Sequence, residues 1–345
     1  MKVVAAMTLT VMASYAAAAD PPPLSPLHPF ALGAGRPSGL ELASPDDHWV
    51  CSVQVAYGNS FRADDTVAAT HALVDGAGNP LSDLAFDTAA AADADRTTWM
   101  VDAETVRLDL EAQRSWGSRA FIGGRLSTWR VGGTFLDALP EHWHDLIGFG
   151  RDGRELFPDR ATQIRAGRNG MSLDTSIGTG WQLGDATLWA GLRLPSRGRW
   201  HHRTWLAATV PGGGGFVTQG PAAGLRWAGL LELDDATWFG GVGWTVLAGR
   251  TWPADRTRTT WHAWAGFDRA LGRRWGAGVV ARVDDSQFRD RLDGRPAARS
   301  AQLAVGPWFL LSDLTTLHLS LGEDFPGMGL SPDFSVHARV TIGFD

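Results

Sequence analysis

A single cysteine, Cys51, stands in 345 residues, so no intramolecular disulfide can staple this chain. Past the first twenty residues there is no apolar run of the length, about 20 residues, that a membrane helix needs. Charged residues make up only 20% of the chain, and a net charge of −6 argues against nonspecific nucleic-acid binding. No nucleophile elbow, zinc-protease His-Glu-x-x-His or Walker pattern is present, and the Gly212–Gly215 run reads as a loop tip. Disulfide scaffolds, helical membrane proteins and the common nucleotide-binding folds are therefore set aside.

What is abundant points elsewhere. The chain has 42 glycines and 17 tryptophans, more tryptophan than a soluble protein has use for. A transmembrane barrel places such residues in girdles at the two interfaces of the bilayer. The last stretch is the clearest. Val336, Ala338, Val340, Ile342 and Phe344 alternate without a break with His337, Arg339, Thr341 and Gly343. That period of two describes a strand with one apolar and one polar face. An aromatic one residue from the end is how the closing strand of a bacterial outer-membrane barrel typically finishes, so Phe344 is expected to be read by the barrel insertion machinery.

The N-terminus reads as a secretory signal over 1–19: Lys2, an apolar core from Val3 to Ala13, then Ala17-Ala18-Ala19. A proline-rich periplasmic lead-in follows over 20–47, and the barrel itself is expected over 48–345. Its first strand has Trp49, Cys51, Val53, Val55 and Tyr57 facing out, with Trp49 and Tyr57 bracketing an apolar band. Further strands are expected near 104–113, 120–129, 185–194, 204–210, 223–233, 237–247, 259–267, 274–283, 299–310, 315–321 and 335–344. Short connections alternate with long ones, the longest at 58–103 and 130–184. Twelve strands with short periplasmic turns and long extracellular loops make an all-β, transmembrane antiparallel barrel. Pro307 falls inside a strand, where it would mark a bulge or a girdle position.

The second long loop carries Phe135, Asp137, Glu141-His142-Trp143-His144-Asp145, Gly148, Arg154, Phe157 and Pro158. Together with Leu27-His28-Pro29-Phe30, the strand from Glu104 to Leu110 and the segment from Leu183 to Leu188, this pattern resembles an uncharacterised family of Gram-negative outer-membrane proteins, domain of unknown function 3187. The resemblance implies an outer-membrane barrel and brings no activity with it. The spacing of Phe135, Leu139, Trp143, Leu146 and Ile147 is near-helical, fitting a short amphipathic segment over the lumen mouth or on the lipopolysaccharide surface.

Glu141, His142, His144 and Asp145 crowd four potential metal ligands together, but a His-x-His spacing on a helix points the imidazoles apart. Asp284, Asp285, Asp290 and Asp293 lack the spacing of a calcium loop. No cofactor is expected. A lipid hydrolase would need a serine–histidine pair on one face, and His262, His318 and His337 fall on inward faces with Ser320 near His318. The inward charges are more telling. Arg107, Arg125, Arg193, Arg226, Arg282 and Arg339 stand against Asp109, Glu111 and Glu232, six against three, a formal excess of +3. Either these fill the barrel with ion pairs or they line a path that favours anions. Three classes of function remain in competition. The lead is a small-solute pore or transporter with an arginine-rich lumen. A non-conducting structural or surface-interaction barrel follows, and an outer-membrane lipid hydrolase comes third. The expected partners are outer-membrane lipid and lipopolysaccharide.

Overall fold

The computed structural model describes residues 49–63, 98–117, 119–132, 163–168, 171–174, 180–210, 212, 221–248, 259–285, 299–324 and 334–344. They form fourteen strands. In chain order these are β1 (Trp49–Ala63), β2 (Thr98–Trp116), β3 (Ala120–Gly132), β4 (Gln163–Arg168), β5 (Met171–Asp174), β6 (Gln182–Arg197) and β7 (Trp200–Val210). They continue as β8 (Ala222–Glu232), β9 (Ala236–Leu247), β10 (Thr259–Ala270), β11 (Trp275–Asp284), β12 (Ser300–Ser312), β13 (Thr315–Asp324) and β14 (Phe334–Phe344).

Twelve of them close into an antiparallel barrel. Each pairs with its sequence neighbour, β3 passes to β6, and the ends meet in a β1–β14 ladder running from Trp49↔Phe344 to Asn59↔Phe334. Closure leaves the twelve-stranded cylinder itself no edge for another chain to extend. The β4–β5 hairpin stands outside the cylinder, paired to the extension of β2 at Thr98–Asp102. Every expected strand is present, and most run further at one end or both. The β1–β2 ladder climbs to Ala63↔Met100, inside what was read as loop, and the 130–184 connection holds β4 and β5. The turn expected over 195–203 shrinks to Gly198-Arg199, with Gly198 at φ 64 where residues with a Cβ are strained. A register shift between Leu194 and Arg197 absorbs Pro195, which has no N–H for the ladder.

Alternation sorts the side chains. Leu110, Leu126, Leu188, Leu206, Val210, Leu225, Val246, Val305 and Leu319 are exposed around the outside, an aliphatic band of the kind that meets lipid. Trp49, Trp116, Trp200, Trp238 and Trp275 are exposed toward the short-turn rim, where Trp49 pairs with Phe344, Trp238 with Phe267 and Trp275 with Phe309. Trp181 and the cross-strand pair Trp244–Trp261 lie toward the opposite rim. The β7 strand starts earlier than the expected 204 and alternates cleanly from Trp205 inward to Val210 outward.

Three expectations change. Tyr57 does not bracket the lipid band: it is buried, and its hydroxyl donates to Glu104 Oε1 at 2.8 Å, because β1 and β2 continue past it. Pro307 makes no bulge. The β12–β13 register is the same on both sides of it, Val305↔Leu321 and Trp308↔His318, and only the pairs between are missing. Nor do the tryptophans serve girdles alone, since Trp129, Trp189, Trp205, Trp264 and Trp308 lie on the inner face.

Candidate functional site: the inner wall

The inner wall has two sectors. The aromatic sector runs over β3 and β6 to β12. Phe121, Trp189, Trp205, Ala207 and Ala228 form one cluster, Phe239, Val280 and Ala304 another, and Trp264 packs against both. Apart from Trp129, which pairs with Arg107 and Gln182, the sequence places a glycine directly opposite each large ring. Gly123 faces Trp189, Gly191 sits between Phe121 and Trp205, Gly241 faces Trp264, Gly266 faces Phe239 and Gly276 faces Trp308. At each of these glycines a Cβ would overlap the ring, so the rings lie folded over the neighbouring strand along the wall. This glycine–aromatic pairing is a known device of curved sheets. Two indoles also anchor to the wall: Trp189 Nε1 donates to Gln113 at 3.0 Å, and Trp308 Nε1 to Asp268 at 2.9 Å.

The charged sector runs over β13, β14, β1, β2 and β3. Arg107 Nε donates to Asp109 at 2.8 and 3.0 Å, and its Nη2 donates to Ser127 at 2.8 Å. Ser127 in turn donates to Asp109, closing a triangle. Ser52 donates to Glu111 at 3.1 Å, while Glu111 and Arg125 are register partners. Across the barrel, Arg282 Nη2 donates to Asp284 at 2.9 Å. Charges held out of water need such partners, and truncating one strands the other.

Seven of the nine residues read as lumen-lining, Arg107, Asp109, Glu111, Arg125, Arg226, Arg282 and Arg339, are buried on the inner face. The other two sit at the short-turn rim. Arg193 is part-buried and donates to Ser115 at 2.7 Å and to the Gly117 carbonyl at 3.3 Å. Glu232 is half-exposed and faces His201 at 3.3 Å. The structure adds four acids that the sequence reading placed elsewhere or passed over: Asp185, Asp268, Asp284 and Asp324 are all buried on inward positions. The expected excess of +3 therefore disappears. Among buried inner-face residues, Asp109, Glu111, Asp185, Asp268, Asp284 and Asp324 face five arginines, Arg107, Arg125, Arg226, Arg282 and Arg339.

His262, His318 and His337 are inward and buried, as is Ser320. His337 Nε2 and Ser335 Oγ are hydrogen-bonded at 3.0 Å, two residues apart on one strand. Among the described residues no group of three or more metal-ligating side chains comes together. Asp285 lies 4.0 Å from Arg299, and Asp290 and Asp293 are outside the described residues. So is the whole loop motif, Phe135, Asp137, His144, Asp145, Gly148, Arg154, Phe157 and Pro158, together with Glu141 and His142. Cys51 is half-buried on an outward position of β1, and Phe344 is exposed opposite Trp49.

No family model matches the chain, and no curated protein matches it. Solved structures do. The translocator domain of the autotransporter NalP from Neisseria meningitidis is 10% identical, with 88% of this chain and 89% of that one covered at a TM-score of 0.42. The NanC porin is 7% identical, with 85% and 99% covered at 0.44. A Pseudomonas aeruginosa FadL homologue is 10% identical, with 94% and 98% covered at 0.39. At this level of agreement the fold rests on the closed ladder itself.

Proposed function

We propose that the chain is an outer-membrane barrel that passes a small solute along its inner wall. The observation that carries this reading is the posture of the inner aromatics, which fold over glycines of the next strand instead of projecting toward the axis. With strands about 4.8 Å apart and tilted about 40°, twelve strands enclose a backbone cylinder of roughly 12 Å radius. Rings that keep to such a wall take up less of that radius than rings that project, although Trp189, Trp205 and Trp308 are themselves buried. A solute moving along the axis would meet hydrogen-bonding groups on one side, and on the other rings interspersed with Arg226, Asp268 and Arg282.

The closing strand and its terminal Phe344 fit recognition by the insertion machinery, and the aliphatic band fits contact with outer-membrane lipid. Membership in domain of unknown function 3187, carried by the 135–158 motif, belongs to the same proposal. The second reading, a non-conducting barrel, is favoured by one observation: Arg107, Arg226 and Arg339, and with them the rings of Phe121, Trp205 and Trp308, are almost entirely buried.

Planar-bilayer recording of the refolded full-length chain separates the two. The expected result is a small conductance that rises on deletion of 135–158. Its reversal potential in a salt gradient should lie near zero, since the inner charges nearly balance. No conductance even after that deletion would establish the non-conducting barrel instead.

A further inference from the structure

We infer that Arg114, on the outer wall of β2 near the short-turn rim, seats the phosphate of an acidic phospholipid. The seat lies outside the lumen, so it stands whether or not the barrel conducts. Strand parity turns Leu110, Ala112, Arg114 and Trp116 outward, while Asp109, Glu111, Gln113 and Ser115 are buried on the inner face. Register places Trp49 beside Arg114 on one side and Ile122 on the other, with Phe344 beyond Trp49. Trp49, Trp116, Ile122 and Phe344 are all exposed. A guanidinium therefore stands in a girdle of large apolar side chains, at the depth where headgroups meet acyl chains.

The charge is held there without being neutralised. Arg114 Cζ lies over the Trp49 ring, 5.6 Å from its centroid. Such a contact fixes the cation without consuming a hydrogen-bond donor, so its N–H fork stays available. No described acid reaches it. Glu111 faces inward and accepts from Ser52. Asp313 is in the β12–β13 turn, three strands and about 14 Å away. Asp345 is outside the described residues. The contrast is His202, another polar side chain at an outward position of this half, which is covered on both faces by Trp200 and Trp227.

A lipid-facing cation without an anion is costly, and the bilayer supplies one at this depth. A phosphodiester offers the planar fork two oxygens. Net charge then decides between lipids. A zwitterionic headgroup would bring an ammonium to a stretch of wall with no described outward carboxylate, whereas phosphatidylglycerol brings the phosphate alone. The next row along the strands, Cys51 and Ala112, is small before Val53 and Leu110 resume, which leaves a shallow step for the glycerol end of an acyl chain.

The test is native mass spectrometry of the detergent-refolded full-length chain, offered equal phosphatidylglycerol and phosphatidylcholine of matched acyl chains. Phosphatidylglycerol should be retained with a preference of about fivefold, the worth of a single arginine at a membrane surface. Arg114→Gln should abolish that preference. Arg269→Gln, at an exposed residue paired with Asp235, should leave it unchanged. Equal retention of the two lipids would overturn the seat, as would a preference that survives Arg114→Gln. So would one that emerges only with Asp345→Asn, since the chain's own end would then hold the arginine. Retention of lipid A over phosphatidylglycerol, lost in Arg114→Gln, would overturn the assignment to a phospholipid. Should Arg114→Gln fail to refold, judged by loss of heat-modifiable migration, Arg114→Met suits a lipid-facing wall and is read in its place.

Discussion

Arg107 touches both Asp109 and Ser127 within a buried stretch of wall, and that makes its removal asymmetric. Arg107→Ala leaves the Asp109 carboxylate buried with its main cation gone, at an expected cost of about 3–5 kcal/mol. Replacing both partners, Arg107→Met with Asp109→Leu, should cost much less, because no charge is stranded. Urea unfolding in lipid vesicles followed by tryptophan fluorescence compares the two. A second residue-scale expectation concerns the ring seats. A Cβ at Gly191 would overlap Phe121 and the Trp205 Cβ, so Gly191→Leu should destabilise the barrel by about 1–3 kcal/mol. A lowered temperature of heat-modifiable migration would report it. Residues of this kind were only partly legible in the sequence. Parity alone put Arg107, Asp109, Glu111, Arg125, Arg226, Arg282 and Arg339 on the inner face, since alternation survives any packing. Asp268 and Asp284 were missed because they lie at or near the ends of their strands, where polarity looks like the start of a turn or loop. The aromatic sector was missed for a different reason. Apolar residues at polar parity look like noise until the opposite glycines are seen, and those pairings join different strands.

At the scale of the strand, burial depth sets the cost of a charge. Leu188 is 68% exposed in the aliphatic band, so Leu188→Arg should cost about 2–4 kcal/mol. Trp49→Arg, at the rim, should cost about 0–1 kcal/mol through its charge. Refolding yields in thin bilayers titrated with urea would show the difference. Phe344→Asp also lies at the rim, and its direct energetic cost is similarly small. Its expected effect is on assembly: outer-membrane levels in cells should fall well beyond what its refolded stability predicts. Normal levels would remove Phe344 from the recognition step. All twelve barrel strands could be read from their period of two, yet their ends could not. Beyond the membrane the outer face no longer needs to be apolar, so the period fades while the ladder continues, as it does from Tyr57 to Ala63. The β4–β5 hairpin left no trace in the sequence because its few residues carry no sustained alternation.

Taken whole, the barrel is mostly a row of strands paired with their sequence neighbours, closed by one long-range seam. Nearly every ladder joins neighbours in the chain, but the seam that turns the row into a cylinder joins Trp49 to Phe344. The entropy of bringing two points together grows with the logarithm of the chain between them. That seam therefore costs about 3 kcal/mol more to bring together than a hairpin of about 15 residues. Contacts so far apart in sequence also form slowly. Translation supplies the last strand of the cylinder last, so for the whole of synthesis and transit the first strand has no closing partner. Until then its unpaired edge is a template for any other extended chain. The connectivity therefore predicts that the chain, diluted from urea without lipid, aggregates unless something keeps it extended until its ends can meet, which light scattering would show. Any truncation that removes β14 should yield a chain that aggregates rather than a smaller barrel.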